Sequence, residues 1–307
     1  MIGRLLALLV RHGPLVLALG IALSVLVPAL ATFLGPALGP FIALLMLVAL
    51  LRLDPGELVA LARRPLVPGL ALVILLLGAP MIVWLVVGLL DLPAPLAQAM
   101  VLNGAAPVLM SSAALAQMIG LNAALSIGMI VGSTLLLPLT LPLVMIGVLD
   151  LGIDLDHGAF AGRFFLYIVV PFVAAWLLRR HFGADAFIER RSTLDGLGVI
   201  FVVLAGIALM DGVTARLLAT PATVALYLGA ATVFNGLFQV LGALLFSPLG
   251  RHRALGLALC LGNRNMGLVL VLTGGLLGAE FALYVAMAQI PMYLMPAIVK
   301  PIYGRYL

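Results

Sequence analysis

Three consecutive polar residues, Asn263, Arg264 and Asn265, stand between Gly262 and Gly267 in an apolar run extending from Ala254 to about Leu277. A guanidinium near mid-bilayer costs from about 2.5 to more than 10 kcal/mol, depending on the reference state. Such a residue faces a bundle interior or a wet cavity. Its planar fork donates bidentately to carboxylates and stays charged when buried. The flanking glycines lower the helical preference, so the segment is expected to open and present backbone groups to a ligand. Non-helical backbone at that depth survives only where protein or water satisfies it. A second run, "LNGAAPVLMSS", carries Asn103, Gly104, Pro107, Ser111 and Ser112. Pro107 removes a backbone donor and clashes with the preceding turn. Two breaks rich in polar groups are therefore expected to face each other at mid-membrane.

The elements that position them follow from composition. Of 307 residues, 65% are apolar and 9% charged, with a mean hydropathy of +1.31. Soluble domains carry about 25% charge, so the chain reads as an integral membrane protein in a lipid bilayer. Ten spans fit the apolar runs: 14–33, 36–53, 67–91, 95–119, 121–148, 162–181, 193–213, 221–247, 253–277 and 279–303. Each is close to the roughly 20 residues that cross a bilayer. Turns are expected at "GPALGP" near Gly35, "LDLPAP" near Pro93 and "SPLGRHR" near Pro248. With the N-terminus inside, thirteen basic residues fall in inner segments: Arg4, Arg11, Arg52, Arg63, Arg64, Arg179, Arg180, Arg190, Arg191, Arg251, Arg253, Lys300 and Arg305. Only Arg163 and Arg216 fall outside, so both termini are placed in the cytoplasm and the protein in an inner or plasma membrane. The net charge of +5 is explained by this orientation, and no nucleic-acid partner is implied. The first segment is read as a retained span, not a signal peptide. Cys260 stands alone, which excludes an internal disulfide.

An internal shift of 158 residues aligns Gly104 with Gly262, Gly120 with Gly278, Met129 with Met287 and Pro138 with Pro296. Five spans per half is an odd number, so homologous halves must lie in opposite orientations. Inverted repeats with interrupted helices at matching positions mark secondary-transporter sites. The fold class is therefore an all-α membrane protein of ten helices in two inverted five-helix repeats, with broken helices 4 and 9.

Weaker polar positions are Gln289 in span ten and the pair Asn235 and Gln239 in span eight, each able to meet a solute or to hold helices together. Ser126, Ser133 and Thr134 in span five face the same choice. Arg264 has two readings: contact with an anionic substrate, or a structural brace bonded to backbone carbonyls or to Asp211. His12, His157, His181 and His252 lie near span ends without metal-ligand spacing, and no cofactor or metal is implied. An intramembrane enzyme would need an acidic cluster with partners. Asp150, Asp154 and Asp156 have none, so a non-enzyme is expected.

"NAALSIGMIVGSTLLLPLTLPLV", Asn122 to Val144, resembles the fifth helix of the bile acid:sodium symporter family, and "LGNRNMGL" resembles its ninth-helix pattern. That resemblance implies that the broken helices 4 and 9 cross, with a panel domain in residues 1–60 and 151–220 and a core domain in 61–150 and 221–307. It implies organic anions moving through a cleft between them, usually with sodium. The departures lie at the ion positions. The family's ninth-helix acid falls on Cys260 and its glutamine ligand on Arg264, while the following asparagine is kept as Asn265. The family's Ser-Asn pair in helix four falls on Ser112 and Ala113, and hydroxyl positions in helix five fall on Gly128 and Ile130. Cys260, Ser126 and Ser133 are what would remain of an ion site. The expected function is secondary transport of a small or amphipathic organic anion without sodium coupling, Arg264 standing as a tethered cation. A sodium-coupled symporter and a non-transporting sensor or channel are the alternatives.

Overall fold

A backbone in hydrocarbon has no water to bond, so each segment must satisfy its own amides, and this chain does so with helices. The structure, a computed structural model, describes residues 6, 8–10, 12–53, 56, 63, 65–121, 123–150 and 156–303. Arg4, Arg11, Arg64, Arg305, Asn122 and Asp154 lie outside the described residues. Helix α1 (Gly13–Leu26) ends at Val27, and α2 (Pro28–Leu34) runs through a 3-10 turn at Gly35–Ala37 into α3 (Leu38–Leu51). A π-helical turn, Ile74–Gly78, joins α4 (Leu66–Val73) to α5 (Ala79–Val87). Next come α6 (Ala94–Ala105), α7 (Ser112–Ile119) and α8 (Ala123–Gly147). Another π turn, Phe165–Val169, links α9 (His157–Phe164) to α10 (Val170–Phe182). Then follow α11 (Asp185–Glu189), α12 (Arg191–Ala208), α13 (Val213–Ala219) and α14 (Pro221–Leu245). The last are α15 (Arg251–Gly262), α16 (Met266–Thr273) and α17 (Gly278–Tyr303).

Among the described residues, seven helical stretches are long and apolar enough to cross a membrane: Pro28–Leu51, Leu66–Val87, Leu125–Gly147, Gly158–Phe182, Arg191–Ala208, Pro221–Leu245 and Gly278–Pro301. The spans expected fourth and ninth fall on the interrupted pairs α6/α7 and α15/α16, so neither is one continuous helix. The chain is thus a multi-pass, all-helical membrane protein.

The described residues form two compact units. The first takes residues 1–53, 156–224 and 270–275, and α12 runs through it. Along α1, Gly13 lies beside Val199, Gly20 beside Val203 and Ile207, and Thr214 donates to the Val25 carbonyl at 2.9 Å. Both numbers rise together, so α1 is parallel to α12. Along α3 they run opposite ways: Gly35 lies beside Asp211, Val48 beside Gly198, and Arg52 pairs with Asp195 at 2.6 Å. Consequently α1 and α3 are antiparallel, and the reversal expected near Gly35 falls between Val25 and Gly35, where the helix breaks at Val27. The Arg179 guanidinium donates to the carbonyls of Leu51, at 2.8 Å, and Leu53, capping the end of α3. Burial draws the Arg52 pKa below its usual value, and Asp195 opposes that shift.

The second unit takes residues 54–155, 225–269 and 276–307. Its core includes Leu75, Leu96, Leu102, Met129, Leu137, Leu141, Leu257 and Tyr284, all nearly fully buried. Two glycines aligned by the 158-residue shift set how closely its helices approach. A Cβ on Gly104 would stand 2.9 Å from the Pro80 Cα, and one on Gly262 would stand 2.9 Å from the Asn235 carbonyl oxygen and 2.5 Å from the Gln239 Cγ. Because backbone must move in both cases, Gly104→Ala and Gly262→Ala are each expected to destabilise the protein by roughly 1–3 kcal/mol. Thermal melts of the purified variants check this, with Gly229→Ala, whose added Cβ would meet open space, as the reference.

Candidate functional site

The two interrupted helices meet inside the second unit. Pro107 forces Ala106 out of the helical region, and Ala106 takes φ −65°, ψ 149°. Opposite it, Asn263 is extended at φ −100°, ψ 103°. The extended pieces pair as one antiparallel bridge between Val108 and Arg264. The Leu109 amide donates to the Asn263 carbonyl at 3.0 Å, and the Asn265 amide donates to the Pro107 carbonyl at 2.8 Å. Each broken helix therefore supplies the partners that the other lost. C-terminal ends of α6 and α15 both point at this crossing, as do N-terminal ends of α7 and α16, so carbonyl and amide dipoles converge there.

Arg264 lies in the middle, 2% exposed. Its Nε donates to the Leu261 carbonyl at 2.9 Å, Nη1 to Ala106 at 2.9 Å, and Nη2 to Leu75 at 3.1 Å. Two of these carbonyls are orphans of the helix ends, and the third has a separate origin. Inside the π turn the Ala79 amide bonds Ile74 instead of Leu75. The next residue that could donate to Leu75 is Pro80, which has no amide hydrogen. Leu75 is thus left with a free carbonyl, and the guanidinium takes it. A π turn placed at a functional site is a recurring pattern. Asp211 is not the partner of Arg264; it is exposed and accepts from Thr32 at 2.7 Å.

The other expected residues sort by what they touch. Asn265 accepts from the Leu268 amide at 3.1 Å and caps α16. Ser133 accepts from the Val108 amide at 3.0 Å, fixing the first break against α8. Asn103 lies within α6 and donates to the Tyr284 hydroxyl at 3.0 Å. Asn235 donates to the Gly262 carbonyl at 2.9 Å and to the Asn263 side chain at 3.0 Å, while accepting from Gln239 at 2.7 Å. Gln289 bonds only its own helix, at 3.5 Å to Val285, among the contacts described. Ser111 sits beside Tyr293, and Ser126 beside the buried Cys260 thiol. Among the described residues, Ser112 Oγ, Thr134 Oγ1 and Asn263 Nδ2 are buried without a protein partner, leaving polar atoms free for a solute or water. Gly104 and Gly262 are helical, and Gly267 is the second residue of α16. The breaks themselves fall at 106–111 and 263–265, so these glycines flank the openings and do not form them. Leu75, Pro80 and Tyr284 were not expected; of these, only the "GAP" ending at Pro80 leaves a trace in the sequence.

Interrupted helices crossing within a membrane-spanning bundle define a class of membrane transport proteins. The model of the sodium bile acid symporter family matches residues 39–221, and the chain belongs to that family. Members are membrane transporters and not enzymes. The match ends before α15 and α16, so the arginine-bearing break lies beyond it. No curated protein matches the chain.

Proposed function

We propose that the protein is a secondary carrier of a small or amphipathic organic anion that works by alternating access without sodium coupling. The reading takes ten spans in two inverted repeats, a panel of spans 1, 2, 6 and 7, a core of spans 3–5 and 8–10, and cytoplasmic termini. Spans 4 and 9 are the interrupted helices. The observation that carries the proposal is the Arg264 guanidinium bonded to three carbonyls at the crossing. A fixed cation thus stands at the position where the resemblance places the family's glutamine ligand. The position matching the family's acid is the uncharged Cys260, fully buried. Arg264 acts first as a brace, and its charge favours an anion in the neighbouring space. Ser112, Thr134 and Asn263, with Asn103, Ser111 and Asn265, offer the polar groups that would orient a carboxylate. Cys260, Ser126 and Ser133 are the remnant of an ion site in this reading.

Counterflow separates a carrier from a channel or a sensor. Proteoliposomes loaded with an unlabelled organic acid should accumulate the labelled acid transiently above its external concentration, and the effect should saturate. Ion current without counterflow would support a channel, and neither signal for any acid tested would support a sensor.

A further inference from the structure

A cavity of about 670 Å³ lies within the second unit, between the end of α14, the start of α15 and the end of α17. This volume is within the roughly 300–1,000 Å³ typical of small-molecule sites. Its walls are mostly hydrocarbon. Val240, Leu244 and Ile298 line it and are also exposed, at 58%, 67% and 56%. On membrane-spanning helices such residues face lipid, so the cavity is reached sideways from the hydrocarbon. Its polar lining is confined to one end. Tyr303 donates to Gln239 at 3.2 Å, so these two satisfy each other. Arg251 lines the same space, is exposed, and has no salt-bridge partner among the described residues. Depth is set by the helices: the apolar spans end at Leu245 and Pro301, so Arg251 and Tyr303 stand just beyond them, where headgroups lie. His252 and Arg253 follow in the first turn of α15, with no acidic residue there. Cations at a helix N-terminus oppose its dipole, and a bound anion would relieve that conflict.

We infer that this cavity holds an anionic phospholipid, with one acyl chain between α14 and α17 and its phosphate on Arg251. Guanidinium matches phosphate bidentately, and basic pockets between membrane helices select anionic headgroups. Of the residues around the crossing, Gln239 alone lines the cavity, and its side chain is taken up by Asn235 and Tyr303, so the inference does not depend on what the protein transports.

The test uses the full chain in mixed micelles, with melting followed by native mass spectrometry. Phosphatidylglycerol should raise the melting temperature by several degrees and remain bound, whereas phosphatidylcholine with the same chains should do neither. Arg251→Gln should weaken phosphatidylglycerol about fivefold, towards the phosphatidylcholine level. Ala243→Trp, which places a bulky ring inside the cavity, should weaken the bound phosphatidylglycerol, while Lys300→Gln, outside the lining, should change nothing. Equal response to the two lipids would overturn the inference, as would an unchanged preference in Arg251→Gln. So would glycerol phosphate alone reproducing the shift, or oleate displacing phosphatidylglycerol with undiminished affinity in Arg251→Gln.

Discussion

Arg264→Gln is expected to reduce solute uptake to background and to lower the melting temperature by roughly 10 °C. The guanidinium serves three carbonyls that no other described group reaches: Leu261 and Ala106 at the ends of α15 and α6, and Leu75 in the π turn. A glutamine amide is shorter and uncharged and cannot span all three. Each buried carbonyl left without a donor costs about 1–3 kcal/mol, so with two of the three left bare a loss of roughly 2–6 kcal/mol follows. The carbonyl dipoles converging on the crossing also lose their counter-charge, which weakens the hold on the bridge between Val108 and Arg264. Arg264→Lys keeps the charge but replaces a planar fork with a point donor, so it should fall between the native protein and Arg264→Gln in both readouts. A melt of Arg264→Gln within about 2 °C of the native protein would remove the brace from the account.

The sequence made much of this visible. Of the ten spans read from hydropathy, seven fall on helical stretches long and apolar enough to cross a membrane, because apolar length is fixed by bilayer thickness. Pro107 located the first break, since a proline both forces its predecessor out of the helix and deletes a donor. Arg264 located the second, since a buried guanidinium needs several acceptors. Other features were beyond a linear reading. A hydropathy window counts carbon, not hydrogen bonds, so it could not see that α6/α7 and α15/α16 are interrupted or that the first reversal begins at Val27. The π turn at Ile74–Gly78 has no composition of its own. Only Pro80 marks it, and whether a proline widens a helix or kinks it depends on packing, here the close approach of Gly104. The glycines of the breaks were legible as special but not in their role, because close contact with Pro80 or Gln239 belongs to tertiary structure. Asn103 was identifiable as a buried polar group, while its partner Tyr284 lies 181 residues away.

The second large effect concerns the coupling ion. A sodium ion about 5 Å from the Arg264 guanidinium would meet a repulsion of about 3 kcal/mol at an effective dielectric near 20, a penalty of over a hundredfold in affinity. Attraction to offset it would need carboxylates. Cys260 stands where the family resemblance places the acid. Three carbonyl oxygens, those of Leu261, Ala106 and Leu75, are already bonded to the guanidinium. The decisive measurement is therefore initial uptake of a transported organic acid into proteoliposomes, with external sodium replaced by potassium at constant ionic strength and clamped voltage. The account predicts rates within about twofold of each other, given a fixed charge in place of an exchangeable one. A steep, saturable dependence on sodium in the native protein would contradict it.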